Sequence, residues 1–152
     1  MKVYTLEREQ FLPVSLQEAW AFFSSPANLS EITPKDMGFT VLSQVPAEIY
    51  KGLLIEYRVA PLLGIPMKWV TKIGDVQPPF LFVDTQLKGP YALWEHTHIF
   101  KEQDGGVMMT DTVRYSVPLG ILGRLANSIF VRKRLEQIFD FRYSTLENYF
   151  KK

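Results

Sequence analysis

Apolar and polar residues alternate along most of this chain, and the period of the alternation predicts its elements. Residues 3–12 alternate loosely with a period of two and stop at Pro13, which predicts a first strand. Ser15 and Glu18 have the spacing of a helix-capping box, so a short helix should follow them. A second short helical turn is predicted over residues 27–31, before Thr33-Pro34.

From Phe39 onward the period of two continues through six more segments. These predicted strands cover residues 39–45, 53–59, 67–73, 80–87, 91–101 and 107–117. Turn-forming residues separate them, among them Lys88-Gly89-Pro90 and Asp104-Gly105-Gly106. Short connections of this kind predict hairpins, and therefore an antiparallel sheet.

The last third of the chain, residues 119–150, predicts one long helix. It contains no proline and has no glycine after Gly123. Its apolar residues fall on two faces that differ by about a third of a turn. The first face holds Leu122, Leu125, Ala126, Ile129 and Phe130, and the second holds Leu135, Ile138, Phe139, Leu146 and Tyr149. The change falls at Arg132-Lys133-Arg134, so either the helix bends there or its first turns cover something other than the main core.

These elements predict the α+β class, with one domain over residues 1–152. One strand, two short helices, six strands and a long helix follow each other without a linker or repeat. A seven-stranded antiparallel sheet has one inner face, and the last helix is the only element large enough to cover it.

The amino-acid composition excludes several classes of function. Aromatic residues make up 14% of the chain, which requires a thick core or a lined pocket. The net charge of +1 gives no global attraction to nucleic acid or to a membrane. The absence of cysteine excludes disulfides, thiolate metal sites and thiol nucleophiles. The first ten residues carry charges at Lys2, Glu7, Arg8 and Glu9 and contain no apolar signal-peptide core, and no apolar run reaches 18 residues. We therefore expect a cytoplasmic protein without a signal peptide or transmembrane segment.

Candidate chemistry concentrates on one face of the strand over residues 91–101. Trp94, His96, His98 and Phe100 share that face, which we interpret as the inner one because it is aromatic. The neighbouring strands contribute Phe82, Asp84 and Gln86 on one side and Asp111 and Tyr115 on the other. The expected pairing places His96 opposite Asp111, Phe82 near His96, and Asp84 near Trp94.

The polar members of this group are Asp84, Gln86, His96, His98 and Asp111. Buried polar groups require partners, so the cluster is either a self-satisfied network or the polar end of a ligand site. Both interpretations remain open. The spacing of His96, His98 and Glu102 imitates a cupin metal motif, but a third imidazole is missing, and we expect no metal and no cofactor.

A basic group lies on the last helix at Arg124, Arg132, Lys133 and Arg134. Such residues usually form a solvated face. With residues 129–131 between them they could instead make transient contact with an anionic membrane or a partner.

Four segments carry a resemblance to a known superfamily. They are Phe22-Phe23-Ser24-Ser25-Pro26-Ala27-Asn28-Leu29 with Thr33-Pro34, Gly89-Pro90-Tyr91-x-x-Trp94-x-His96-x-His98-x-Phe100, Asp111-x-Val113-x-Tyr115, and Leu135-Glu136-Gln137-Ile138-Phe139-Asp140-x-Arg142. With the order of elements, they make the chain resemble the START/Bet v1-like (SRPBCC) superfamily over nearly its whole length. The resemblance implies a helix-grip fold: a curved seven-stranded sheet wrapped around a long C-terminal helix, with two short helices between strands 1 and 2. It also implies a cavity for an apolar or amphipathic small molecule.

Three functional hypotheses follow. The first is binding of a small hydrophobic or amphipathic ligand, similar to a lipid, polyketide or isoprenoid, without catalysis. The expected ligand-binding residues are Tyr57, Trp69, Phe82, Asp84, Gln86, Trp94, His96, His98, Phe100, Asp111 and Tyr115. The second is a cyclase or dehydratase in which His96 works with Asp111 or Asp84 as an acid–base pair. The third is docking to a membrane or partner. The sequence does not specify the ligand or the oligomeric state.

Overall fold

The computed structural model describes residues 1–151. The strands are β1 (Tyr4–Leu12), β2 (Thr40–Val41), β3 (Leu54–Val59), β4 (Met67–Gln77), β5 (Leu81–Lys88), β6 (Leu93–Gln103) and β7 (Gly106–Ser116). The helices are α1 (Leu16–Phe23), α2 (Gly120–Ala126) and α3 (Arg132–Tyr149), with 3₁₀ segments at Pro26–Ile32 and Lys35–Met37 and a π-helical segment at Asn127–Val131. None of the helices in residues 1–151 is long and apolar enough to cross a bilayer.

All seven strands form one antiparallel sheet in the order β1-β7-β6-β5-β4-β3-β2. The predicted α+β class, strand number and helix order are therefore confirmed. The cap of α1 also forms as expected, because the Ser15 hydroxyl accepts a hydrogen bond from the Glu18 backbone N–H at 3.1 Å.

The second strand is shorter than the predicted segment 39–45. Only Thr40 and Val41 pair regularly with β3. Beyond them, the backbone N–H groups of Leu42 and Ser43 both donate to the same carbonyl of Glu56. The Ser43 hydroxyl also accepts a hydrogen bond from the Glu56 N–H at 3.0 Å. This doubled pairing ends the ladder, as a bulge does.

The expected pairing of β6 with β7 is wrong by two residues. His98 lies opposite Asp111, and His96 lies opposite Val113. The cause is a tight turn of only Asp104 and Gly105, both at positive φ, which fixes the register of the hairpin.

The expected pairing of β5 with β6 is wrong by the same amount. Asp84 pairs with His96 rather than with Trp94, and Phe82 pairs with His98 rather than with His96. The connection between the paired parts of β5 and β6 is two residues longer than predicted. The Gln86 side chain holds it, because its amide donates to the Tyr91 carbonyl and its oxygen accepts from the Tyr91 N–H. A slip of two residues leaves every side chain on its expected face.

The last helix runs as predicted from Gly120 to Tyr149, but a π-helical segment at Asn127–Val131 interrupts its regular winding. A π turn accommodates an extra residue and rotates the following side chains by about 100°. This segment produces the change of apolar face, and it precedes the predicted position at Arg132-Lys133-Arg134.

Most of the first predicted apolar face of that helix does not pack on the protein; the exception is Ala126, which packs against the core. Leu122, Leu125 and Ile129 are more than half exposed. The residues that turn inward are Gly123, Asn127 and Val131. A Cβ at Gly123 would collide with the Pro118 carbonyl, and the Asn127 side chain accepts a hydrogen bond from the Tyr115 hydroxyl at 2.7 Å.

The second predicted face packs mostly as expected. Leu135, Phe139 and Leu146 are buried, whereas Tyr149 is 56% exposed. The remaining inward position on this face is taken by a charged residue, Arg142, which is only 7% exposed.

Candidate functional site

A cavity of about 190 Å³ lies between the inner face of the sheet and α3. A single water needs only about 10–15 Å³ of such space, so the cavity is large enough for a molecule far larger than water. Its apolar lining comes from strands β3 to β6, from the end of α1 and the segments that follow it, and from α3. The apolar lining residues are Phe22, Phe23, Pro26, Leu29, Ile32, Met37, Phe39, Ile49, Ile55, Tyr57, Val59, Pro61, Trp69, Ile73, Phe82, Tyr91, Trp94, Leu135, Ile138 and Phe139.

Most of the predicted site residues lie on the cavity wall. These are Tyr57, Trp69, Phe82, Asp84, Trp94, His96 and His98. Ser25, Asn28, Thr33, Thr71 and Arg142 complete the polar part of the lining. The Tyr57 and Thr71 hydroxyls are hydrogen-bonded to each other at 2.9 Å, so Tyr57 contributes mainly its ring.

The structure places the other four predicted residues outside the wall. Gln86 holds the backbone of Tyr91. Phe100 is 1% exposed and packs against Trp20. Tyr115 is fully buried and donates its hydroxyl hydrogen to Asn127. Asp111 lies behind His96 and Arg142, which line the cavity and are both bonded to its carboxylate.

His96 and His98 form the centre of a buried polar network. Their rings are stacked, with centroids 3.7 Å apart. Nε2 of His98 lies 2.6 Å from Oδ2 of Asp84, and Nε2 of His96 lies 2.8 Å from Oδ1 of Asp111. The two rings thus point in opposite directions between two carboxylates, an arrangement that the alternation of β5, β6 and β7 imposes.

Arg142 completes the network. It is not among the site residues predicted from the sequence. Its Nη2 donates to Oδ1 of Asp111 at 3.1 Å. A signal for it exists in the sequence, because Arg142 lies three residues after Phe139 and four before Leu146, on the buried stripe of α3.

The two carboxylates are held in their ionised form. Burial raises the pKa of Asp111, but the nearby Arg142 guanidinium and the two imidazoles hold it well below its ordinary value. Burial likewise opposes ionisation of Asp84, and the hydrogen bond from His98 together with the neighbouring positive charges lowers its pKa.

The pKa values of the two histidines are shifted in opposite directions. Burial lowers the pKa of His96, and the neighbouring His98 lowers it further, against the opposing effect of the carboxylates. Burial also acts on His98, but the hydrogen bonds and charges of Asp111 and Asp84 outweigh it and raise its pKa. These directions favour ionised carboxylates beside the Arg142 guanidinium, and they place a proton on His98 in preference to His96.

One nitrogen of each imidazole has no hydrogen-bond partner among the described residues, and the one on His96 is the candidate for contact with a ligand. Since Nε2–H donates to Asp111, Nδ1 carries the lone pair. Nδ1 accepts no hydrogen bond from any described residue, and the nearest carboxylate oxygen, on Asp84, is 3.9 Å away. A neutral imidazole oriented by a carboxylate behind it can accept a hydrogen bond or act as a general base.

Within residues 1–151, Asp84, His96 and His98 form a group that could be considered as metal ligands. Their candidate ligand atoms lie within 4.8 Å of one another. The geometry fits a metal poorly, because stacked rings at an angle of 25° direct their lone pairs side by side instead of toward one point. Glu102, the third member of the cupin-like spacing, is exposed at the end of β6.

A pH titration of the two imidazoles tests this electrostatic description. We expect two-dimensional NMR to show one imidazole titrating above the ordinary value of 6.5 and the other below it. The chain contains only two histidines, so the two transitions can be assigned with His98→Gln and His96→Gln. Because the groups are coupled, each variant should also move the transition of the remaining histidine. Two independent transitions near the ordinary value would contradict the network.

The same pKa directions set the sign of the pH dependence of stability. The carboxylates contribute stability above their ordinary pKa of 3.8, and that contribution is lost as the pH falls toward their lowered values. The contribution of His98 is present below 6.5 and is lost as the pH rises through its raised pKa.

Solved structures with the same architecture are numerous. CV1439 from Chromobacterium violaceum aligns over 97% of this chain and 98% of its own, with a TM-score of 0.72 and 11% identity. Ginseng major latex-like protein 151 from Panax ginseng aligns over 99% of both chains, with a TM-score of 0.70 and 10% identity. The Bet v1 allergen Ara h 8.0201 aligns over 97% of both, with a TM-score of 0.62 and 17% identity. The chain has the Bet v1-like helix-grip fold.

No family model matches the sequence, and no curated protein matches it either. At identities of 10–17% the similarity establishes the helix-grip fold alone. Any function must therefore be argued from the residues of this chain.

Proposed function

We propose that this protein binds a small hydrophobic or amphipathic molecule in the cavity between the sheet and α3. The observation that carries the proposal is the composition of the wall: twenty of its side chains are apolar or aromatic, and its charged groups are confined to the network of Asp84, His96, His98 and Arg142. Binding sites for small molecules have this division, in which the apolar wall supplies affinity and a few polar groups orient the ligand.

The charge state of the network selects the polar end of the ligand. A ligand carboxylate would bring a further negative charge close to the carboxylates of Asp84 and Asp111, which already flank the imidazoles, and this is costly in a buried site. A hydroxyl could instead donate to Nδ1 of His96 without changing the charge. We therefore assign the ligand a neutral, hydroxyl-bearing head and an apolar body.

Three matched probes test this assignment: naphthalene, naphthol and naphthoate, titrated calorimetrically at neutral pH. Naphthol should bind several-fold more tightly than naphthalene, since one net hydrogen bond contributes roughly 0.5–1.5 kcal/mol. Naphthoate should bind more weakly than naphthol. Its affinity should rise as the pH falls, because protonation of His96 would compensate the added charge.

The variant His96→Leu is the control for the hydrogen bond. It should abolish the preference for naphthol over naphthalene while naphthalene still binds. If naphthoate binds as tightly as naphthol at neutral pH, the assignment of a neutral polar group to the ligand is wrong, but the proposed binding function is not affected. Failure of all three probes to bind would count against the binding function itself.

A further inference from the structure

A group of apolar side chains on α2 and the π-helical segment points away from the protein. Leu119, Ile121, Leu122, Leu125 and Ile129 are 55–78% exposed. The packed side of the same segment is formed by Gly123, Asn127 and Val131, on the opposite side of the helix. A surface helix normally turns its apolar stripe inward, so an apolar stripe on the outer side indicates a surface that another phase or molecule covers.

The turn between β3 and β4 adds Leu63 and Ile65, which are 75% and 55% exposed. In an antiparallel sheet the end of β3, the start of β4 and the end of β7 lie at one end, and α2 follows β7. Two contacts join this turn to the start of α3 through the 3₁₀ segment Lys35–Met37. The Ala60 N–H donates to the Met37 carbonyl at 2.7 Å, and Arg134 pairs with Asp36 at 3.2 Å. We call these seven exposed apolar residues the apolar tip.

The helical stretch that carries most of the apolar tip is basic, and the acidic Asp36 at this end is paired with Arg134. Between Asp111 and Glu136 the sequence has no acidic residue and five basic ones. Arg124 and Lys133 are exposed, so their charges are available beside the exposed leucines. Apolar side chains bordered by Lys and Arg suit the surface of an anionic bilayer, where the apolar groups enter the interface and the cations meet the headgroups.

The cavity extends to the same end of the molecule. Pro61, in the turn between β3 and β4, and Leu135, at the start of α3, both line it. A surface covered at this end would therefore lie next to the proposed ligand site, although the apolar tip is a separate set of residues.

From the apolar tip and its basic border we infer that this protein docks peripherally on anionic lipid bilayers. Leu122 and Leu125 enter the interface, and Arg124 and Lys133 supply the preference for anionic lipid. The inference does not depend on which ligand the cavity holds.

Vesicle co-sedimentation tests the inference. Full-length protein should sediment with vesicles of phosphatidylcholine and phosphatidylserine in equal parts, and much less with phosphatidylcholine alone. The variant Leu122→Asp/Leu125→Asp should lose about a hundredfold or more of its partitioning, since each buried leucine contributes at least about a tenfold gain in partitioning. Arg124→Gln/Lys133→Gln should lose about thirtyfold of the preference for the anionic vesicles, since each cation contributes about 1 kcal/mol near such a surface.

The matched control is Tyr50→Asp/Phe80→Asp, which removes two exposed apolar side chains and adds the same charge at the opposite end of the sheet. It should sediment like the unaltered protein. Thermal unfolding should show that both aspartate variants remain folded, because all four positions are exposed. Absence of sedimentation, or equal losses in the two aspartate variants, would overturn the inference. So would a dimer in sedimentation velocity that only Leu122→Asp/Leu125→Asp dissociates, because the tip would then be covered by a second copy.

Discussion

Replacement of Arg142 by methionine should lower the free energy of unfolding by about 3–5 kcal/mol, the cost of removing one partner of a buried ion pair. Asp111 is 3% exposed and Arg142 is 7% exposed. Without the guanidinium, the carboxylate keeps its desolvation cost but loses its strongest compensating charge, which is what holds its pKa low. Methionine retains most of the apolar length of the side chain between Phe23 and Phe139, so the loss should reflect mainly charge.

The measurement is urea unfolding at neutral pH, followed by circular dichroism. The matched control is Arg8→Met. Arg8 also pairs with an aspartate, Asp140, at 2.7 Å, but both side chains reach solvent, with exposed fractions of 30% and 67%, and the pair should contribute less than about 1 kcal/mol. Equal costs for the two substitutions would show that Asp111 is not held as a buried ionised group.

Alternation along the strands predicted which face each site residue occupies, but not which residues pair. A slip of two residues preserves the alternation, so the pattern could not distinguish His96 opposite Asp111 from His98 opposite Asp111. The turn was the informative signal. Asp104-Gly105 is a two-residue hairpin sequence, and counting outward from it gives the observed register.

Arg142 shows a different limit of sequence reasoning. Its position on the stripe of α3 was visible, but a charged residue is normally assigned to solvent. Burial becomes favourable here only because Asp111, distant in the sequence, lies within 3.1 Å. That partner is known only once the sheet and helix are assembled.

The exposed face of α2 shows a third limit of prediction from the sequence. Helical periodicity correctly grouped Leu122, Leu125 and Ile129 on one side, but periodicity does not say whether that side is covered. The packing direction is determined locally by Gly123, where a side chain would strike the Pro118 carbonyl, and by the bond between Asn127 and Tyr115.

Ligand occupancy should be the property most sensitive to filling the cavity. Ile138 lines the cavity from α3 and is only partly buried, so Ile138→Trp can place its ring in the empty space at limited cost to stability. The same substitution at Ile99, which is 39% exposed on β6, does not touch the cavity and is the matched control.

Native mass spectrometry of freshly purified protein, followed by organic extraction, measures that occupancy directly. We expect the unaltered protein and Ile99→Trp to carry an apolar, hydroxyl-bearing compound at near-unit occupancy. We expect Ile138→Trp to lose most of it, because the compound and the added ring would occupy the same space. Equal occupancy in the two tryptophan variants would contradict the account, as would an unaltered protein that carries no compound and takes up no added naphthol.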